Sequence, residues 1–146
     1  MSQPEGAAVS VGVVRQEQIY AFAVVASDGA ERSLLLSRAF MDRRPRILSG
    51  DLVAIRNDLI VYQWYRGVAL GEGTAGVRVR LNTHELIVAP RNPRTLDPGI
   101  PLAVGEPVFT DGAEVLCRAW AWYEPAPVSA AVLARAAEVV AEPSGA

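Results

Sequence analysis

The sequence predicts an all-β, mainly antiparallel fold, a small β-barrel or sandwich, carrying one C-terminal amphipathic helix. Three observations predict it. Short runs of β-branched and aromatic residues recur between turn-forming Gly, Asn, Asp and Pro. Two breaks, Asn57-Asp58 and Asp111-Gly112, have the chemistry of tight hairpins. Helical periodicity is confined to residues 129–142.

At 146 residues the chain suits one domain, able to bury roughly 70% of its unfolded surface without disulfide or metal. The expected division is a tail at 1–8, a β-domain at 9–125 with a Pro-rich loop or arm at 90–101, and a helix and tail at 126–146. Hydrophobic residues make up 51% and the mean hydropathy is +0.19. Ala and Val account for part of this, and apolar surface covered by other subunits is the competing explanation. All 14 basic residues are Arg, and the net charge of -2 gives no whole-chain field for nucleic acid or membrane. The single Cys117 has no intrachain partner and reads as a buried thiol. Without an 18-residue apolar run or a charged-then-apolar leader, the expected location is cytoplasmic or within a virion, not secreted and not in a membrane.

Taken in order, residues 9–15 and 18–26 read as strands, the second with Tyr20, Phe22 and Val24 on one face. Ser27-Asp28-Gly29 turns the chain into a strand at 31–37. Residues 38–46, RAFMDRRPR, hold four Arg and one Asp. Pro45 and the charges exclude a central strand, leaving a loop with one helical turn. The stretch 45–65 is the organising hairpin: two apolar runs split by Asn57-Asp58. A two-residue turn there sets Ile55 opposite Ile60, Ala54 opposite Val61 and Val53 opposite Tyr62. Both faces are apolar, which places the hairpin in the interior of a sheet rather than at its edge.

The second strand of that hairpin continues to Leu70, with Gly67 as a bulge. Residues 71–76 turn, and 77–81 alternate Val77, Val79 and Leu81 inward with Arg78 and Arg80 outward. Asn82-Thr83-His84 leads to a strand at 85–89. The prolines of 90–101 make an irregular surface loop. A turn at Gly105-Glu106 precedes a strand at 107–109, and 113–123 form the last strand. In the helix, Val132, Leu133, Ala136, Val139 and Val140 form one stripe and Arg135, Glu138 and Glu142 face away. Ser129 caps it and Pro143 stops it. No internal repeat is visible.

Candidate chemistry is sparse. His84, the one histidine, has no metal-ligand spacing around it and no partner for catalysis. Asp28, Asp51, Asp58 and Asp111 all fall at turns, where Asp bonds its own backbone. The 71–76 run GEGTAG is followed by no helix, so it lacks the helix N-terminus a phosphate loop needs. No cofactor, metal or enzymatic activity is expected. The arginines of 38–46, namely Arg38, Arg43, Arg44 and Arg46, are the best candidates. They suit phosphates or the carboxylates of a partner subunit. Tyr62, Trp64 and Tyr65 on one strand, and Trp120, Trp122 and Tyr123 on another, read as core or interface anchors.

The first half resembles OB-fold modules of the cold-shock or S1 type. The likeness runs through GVV at 12–14, IYAFAVV at 19–25, SDGAERSLLL at 27–36, the basic loop, and SGDLVAI at 49–55. It implies a five-stranded barrel whose second and third strands carry base-stacking aromatics. Tyr20 and Phe22 fall near that place, while the third strand has no aromatic. Two functional expectations follow. The first is a non-enzymatic β-barrel subunit of a homo-oligomer or larger assembly, with a phage or virion joining, tail or decoration protein as its most concrete form. The second is an OB-like single-stranded nucleic-acid binder acting through Arg38, Arg43, Arg44, Arg46, Tyr20 and Phe22.

Overall fold

The computed structural model describes residues 9–17, 21–26, 29–119 and 128–141. The chain forms mostly antiparallel β-sheet with a C-terminal helix. The strands are β1 (Ser10–Glu17), β2 (Phe22–Ala26), β3 (Glu31–Leu36), β4 (Leu52–Arg56), β5 (Leu59–Gly73), β6 (Gly76–Leu81), β7 (Leu86–Ala89), β8 (Pro107–Thr110) and β9 (Val115–Arg118). A one-turn helix, α1 (Arg38–Met41), follows β3, and α2 (Val128–Ala141) follows the sheet. The two tails, Tyr20, Ser27, Asp28, the aromatics Trp120, Trp122 and Tyr123, and Glu142 and Pro143 at the end of the helix lie outside the described residues.

The β4–β5 hairpin sits in the middle of the strand order, between β1 and β6. Asn57 and Asp58 both take positive φ, 55° and 61°, the turn geometry that matches strand twist. Leu52, Val53, Ala54 and Ile55 are all buried, because both faces of β4 are covered. Ile55 pairs with Ile60 as expected, but a bulge follows. Ala54 therefore pairs with Tyr62 and Val53 with Gln63, one residue beyond the expected Val61 and Tyr62. The extra residue bends β5, which runs 15 residues and serves two sets of strands.

In the first set β1 pairs with β2, β2 with β3, β3 in parallel with β5, β5 with β4 and β4 with β1. The pairings return to their start. In the second set the far part of β5 pairs with β6 and β6 with β7. Just beyond β7, Arg91 bridges Val115 in parallel. Strand β9 then pairs with β8 and β8 with β5. The second set repeats the first, residue for residue, 55 positions later. Gly12 pairs with Ala26 and Gly67 with Leu81. Bulges follow Val14 and Ala69. Leu36 pairs with Ile60 and Arg91 with Val115. Ala54 pairs with Tyr62 and Phe109 with Cys117, each next to a bulge. The turns match too: Gly50 N donates to Val14 O and Gly105 N to Ala69 O, both at 2.7 Å.

The repeat expected to be absent is therefore present in the backbone. It escapes the sequence because only Gly12/Gly67, Val13/Val68, Glu17/Glu72, Val24/Val79, Asp42/Asp97, Gly50/Gly105 and Val53/Val108 are identical. Strands demand apolar character at alternate positions, not particular residues. The two matched glycines are exceptions with a steric cause. A Cβ on Gly12 would lie 2.5 Å from Val24 Cγ1, and one on Gly67 would lie 2.6 Å from Val79 Cγ1. Gly67 is thus a point of close strand approach, and the bulge expected there falls at Leu70 instead.

Each half has its own core. Val14, Val24, Leu34, Phe40, Ile47, Val53, Ile55 and Ile60 fill the first. Ala69, Val77, Val79, Leu81, Leu96, Val108 and Val115 fill the second. A third cluster, built around Leu52, Trp64, Phe109, Leu116 and Cys117, joins the halves and receives Val132, Ala136 and Val139 of α2. The helical stripe is narrower than expected, since Leu133 is 39% exposed. Arg135 does not face away: its Nε lies 2.8 Å from Glu114. The helix starts at Val128, so Ser129 lies inside its first turn.

The 90–101 segment is not a free arm. Leu96 is buried, as are Asn92 and Thr95. Arg91 forks onto both oxygens of Glu72 at 2.6 Å. The segment occupies in the second half the place that α1 and the arginine stretch take in the first, and packs for the same reason.

Candidate binding cleft of the first half

The arginine stretch leaves β3 through a capped turn. Ser37 Oγ accepts from Phe40 N at 3.2 Å, which starts α1 and drives Phe40 into the core. The chain then reverses at Arg44, a non-glycine residue at φ 52°, and Ile47 re-enters the core. Arg43, Arg44, Pro45 and Arg46 are left on the wall of a cleft of about 230 Å³. Phe40, Tyr62, Gln63, Tyr65 and Asp111 complete the wall.

The cleft is ordered from beneath. Tyr62 stands edge-on to buried Trp64, ring centroids 5.0 Å apart, and donates its hydroxyl to Asp111 Oδ2 at 2.8 Å. The Arg43 guanidinium lies 5.7 Å from the centroids of both Phe40 and Tyr62, within cation–π range. Gln63 Nε2 donates to Arg46 O at 3.0 Å and to Asp51 Oδ2 at 3.1 Å. Asp51, fully buried, also accepts from Leu48 N, Arg66 N and Asn82 Nδ2. Burial outweighs these bonds and pushes its carboxyl above the ordinary value. Burial likewise raises the Tyr65 phenol, with Asp51 and Glu85 adding to it.

Among the described residues six arginines are ion-paired: Arg15, Arg32, Arg91, Arg94, Arg118 and Arg135. Arg38, Arg43, Arg44 and Arg46 pair with no acid among the described residues, and neither do Arg56, Arg66, Arg78 and Arg80. The structure brings Arg43, Arg44 and Arg46 together and leaves Arg38 exposed on α1, away from the cleft wall. Phe22 packs on the first core and does not join the arginines. The aromatic partners are instead Tyr62 and Tyr65, noted in the sequence as a cluster but not connected with the basic loop. Asp111 carried no signal, since 49 residues separate it from Tyr62.

The remaining candidates have plain structural settings. Cys117 is fully buried, and burial pushes its thiol up to about 12, so it is not a nucleophile at neutral pH. His84 is exposed in a turn at φ 76°, the place that Gly29 holds in the first half. The 71–76 run ends β5 and turns straight into β6. Among the described residues no three His, Cys, Asp or Glu side chains gather to hold a metal. No described helix is long and apolar enough to cross a membrane.

The matching place in the second half is filled differently. Arg118, the counterpart of Gln63, binds Glu106 and donates to Pro101 O at 3.1 Å. Those acceptors are the counterparts of Asp51 and Arg46. The matching loop residues are Pro98, Gly99, Ile100 and Pro101, with no charge among them.

No protein-family model matches the sequence, and no curated protein matches it.

Proposed function

We propose that the protein is a non-enzymatic subunit of a larger assembly, built from two successive small barrels of OB-like strand order that share β5. The closed sequence of pairings in each half supports the barrel reading. One observation carries the assembly reading. Leu86 and Val88 on β7 are 67% and 50% exposed and line an apolar groove with Leu70. Their counterparts on β3 are Glu31 and Ser33. Arg15 binds Glu31 at 2.8 Å, where the second half has Leu70 and Leu86. The same backbone therefore accepts an ion pair at this place, and the apolar pair is not required by the fold. Adjacent exposed apolar side chains lining one groove on a strand fit a contact surface better than scattered ones do. A virion joining, tail or decoration subunit would be one such protein.

Size-exclusion chromatography with light scattering tests this. The purified protein is expected to run as an oligomer, and Leu86→Glu/Val88→Thr is expected to lower its mass with an unchanged circular dichroism spectrum. A wild-type monomer at every concentration tried would sink the proposal for self-assembly.

A second reading, an OB-like module for single-stranded nucleic acid, is favoured by the unpaired arginines beside Tyr62 and Tyr65. It expects oligonucleotide binding that weakens steeply with salt. Recording absorbance at 260 and 280 nm during the same chromatography shows whether nucleic acid travels with the protein.

A further inference from the structure

The duplicated backbone supplies an internal control for the cleft. Residues 43–46 read Arg-Arg-Pro-Arg and their counterparts 98–101 read Pro-Gly-Ile-Pro. Both stretches lead to matching turns, where Leu48 N donates to Asp51 Oδ2 and Ala103 N to Glu106 Oε1, each at 3.0 Å. The last four residues of this connection carry no charge in the second half, so closing it does not require three arginines.

Three further observations say what they are for. First, none of them has an acidic partner among the described residues, which is true also of Arg56, Arg66, Arg78 and Arg80, but Arg43, Arg44 and Arg46 line a cleft together with Tyr62 and Tyr65. Second, Arg44 holds φ 52°, a left-handed conformation that its counterpart Gly99 does not take. A long side chain kept in a conformation that glycine adopts at lower cost is strain retained at a site, and strain of this kind clusters where ligands bind. Third, Arg43 is already held over Tyr62, so part of the entropy cost of fixing a guanidinium is met before any ligand arrives.

We propose that this cleft binds a phosphate-bearing ligand with an adjoining flat ring, of the nucleotide type. Arg43, Arg44 and Arg46 hold the phosphate, because guanidinium forks match its oxygens. Tyr62 and Tyr65 flank the ring. Asp111 on the far wall disfavours a second anionic group, so the cleft takes one phosphate. Its volume of about 230 Å³ falls below the range of drug-sized pockets and suits one phosphate with a single ring. The inference stands apart from the assembly reading, since β7 takes no part in it. The ligand's source is either a free mononucleotide or one nucleotide of a strand.

Titration of the full chain with inorganic phosphate, uridine monophosphate and a ten-residue oligothymidylate distinguishes the sources, read by tryptophan fluorescence and calorimetry. Trp64 reports directly through its contact with Tyr62. Saturable binding of the mononucleotide or the oligonucleotide, tighter than phosphate alone, is expected. Each arginine removed, in Arg43→Gln and Arg46→Gln, is expected to weaken it about tenfold. Arg44→Gly is expected to weaken binding and raise the melting temperature together, which separates lost contact from lost fold. Arg78→Gln/Arg80→Gln, which removes two exposed charges elsewhere, is expected to change nothing. No binding by either nucleotide probe overturns the proposal. So does equal weakening by the Arg78/Arg80 pair, which would make the effect one of bulk charge. Binding of the oligonucleotide alone supports the cleft and assigns the ligand to a strand.

Discussion

The two halves share a backbone and differ in how they treat the same carboxylate. Asp51 and Glu106 begin matching strands and cap matching turns. Asp51 is fully buried and is met only by neutral donors, two of which, Arg66 N and Asn82 Nδ2, belong to the second half. Glu106 is 19% exposed at its side chain and is met by the charge of Arg118. The difference follows from position. Asp51 lies at the junction, where another set of strands covers it, whereas Glu106 lies at the outer end of the repeat. One acid fastens two halves, and the other closes a single loop.

The largest effect should come from breaking the junction. Asp51→Ala leaves four donors without their acceptor and is expected to cost about 3 kcal/mol, against about 1 kcal/mol for Glu106→Ala. Urea unfolding of the two variants measures the difference, and equal costs would mean that Asp51 does not join the halves. The pH response should follow the raised Asp51 carboxyl. Its contribution is complete below the ordinary value of 3.8 and is lost as pH rises through the higher folded value. The gap between wild type and Asp51→Ala should therefore be widest in acid and narrow as pH rises. Glu138 runs the other way. Arg94 and Arg135 hold its carboxyl down to about 2, so its contribution is present above the ordinary glutamate value and is lost as pH falls toward that figure.

The matched glycines test the repeat itself. Gly12→Ala and Gly67→Ala each drive a Cβ into a valine and a strand carbonyl, and each is expected to cost about 2 kcal/mol. A large effect at one and none at the other would show that the two strand crossings are not equivalent. Smaller still is Arg44→Gly, expected to stabilise by about 1 kcal/mol by relieving the positive φ. The smallest is the transplant Leu70→Arg/Leu86→Glu, which copies the Arg15–Glu31 pair onto the second half. Exposed ion pairs are worth about 0–1 kcal/mol, so thermal unfolding should shift little, while any self-association through β7 should disappear.

Legibility in the sequence tracked how local each feature is. The Asn57-Asp58 turn, the Val77–Leu81 alternation and the buried Cys117 are set by residues next to one another, and all three stand in the structure as read. The hairpin register beyond Ile55–Ile60 was not legible, because a bulge leaves no residue signature of its own. The Pro-rich 90–101 segment read as an irregular surface loop or arm because proline marks irregular backbone; it is such a loop, with Asn92, Thr95 and Leu96 turned inward. Within the cleft the arginines were legible as an unusual charge run. Their partners were not, since Tyr62 and Asp111 are brought to them by strand pairing across the junction of the halves.

By itself the sequence determined the class of fold, the central hairpin, the C-terminal helix and the place of the basic stretch. Backbone conformation at turns and the alternation of apolar residues act over a few residues and need no partner. The tertiary structure alone decided that one backbone unit occurs twice, that Asp51 joins the copies, and that three arginines share a wall with two tyrosines. These depend on register between distant strands. Many residue combinations satisfy a given register, so the matched positions can differ in identity while sharing the geometry that packing demands.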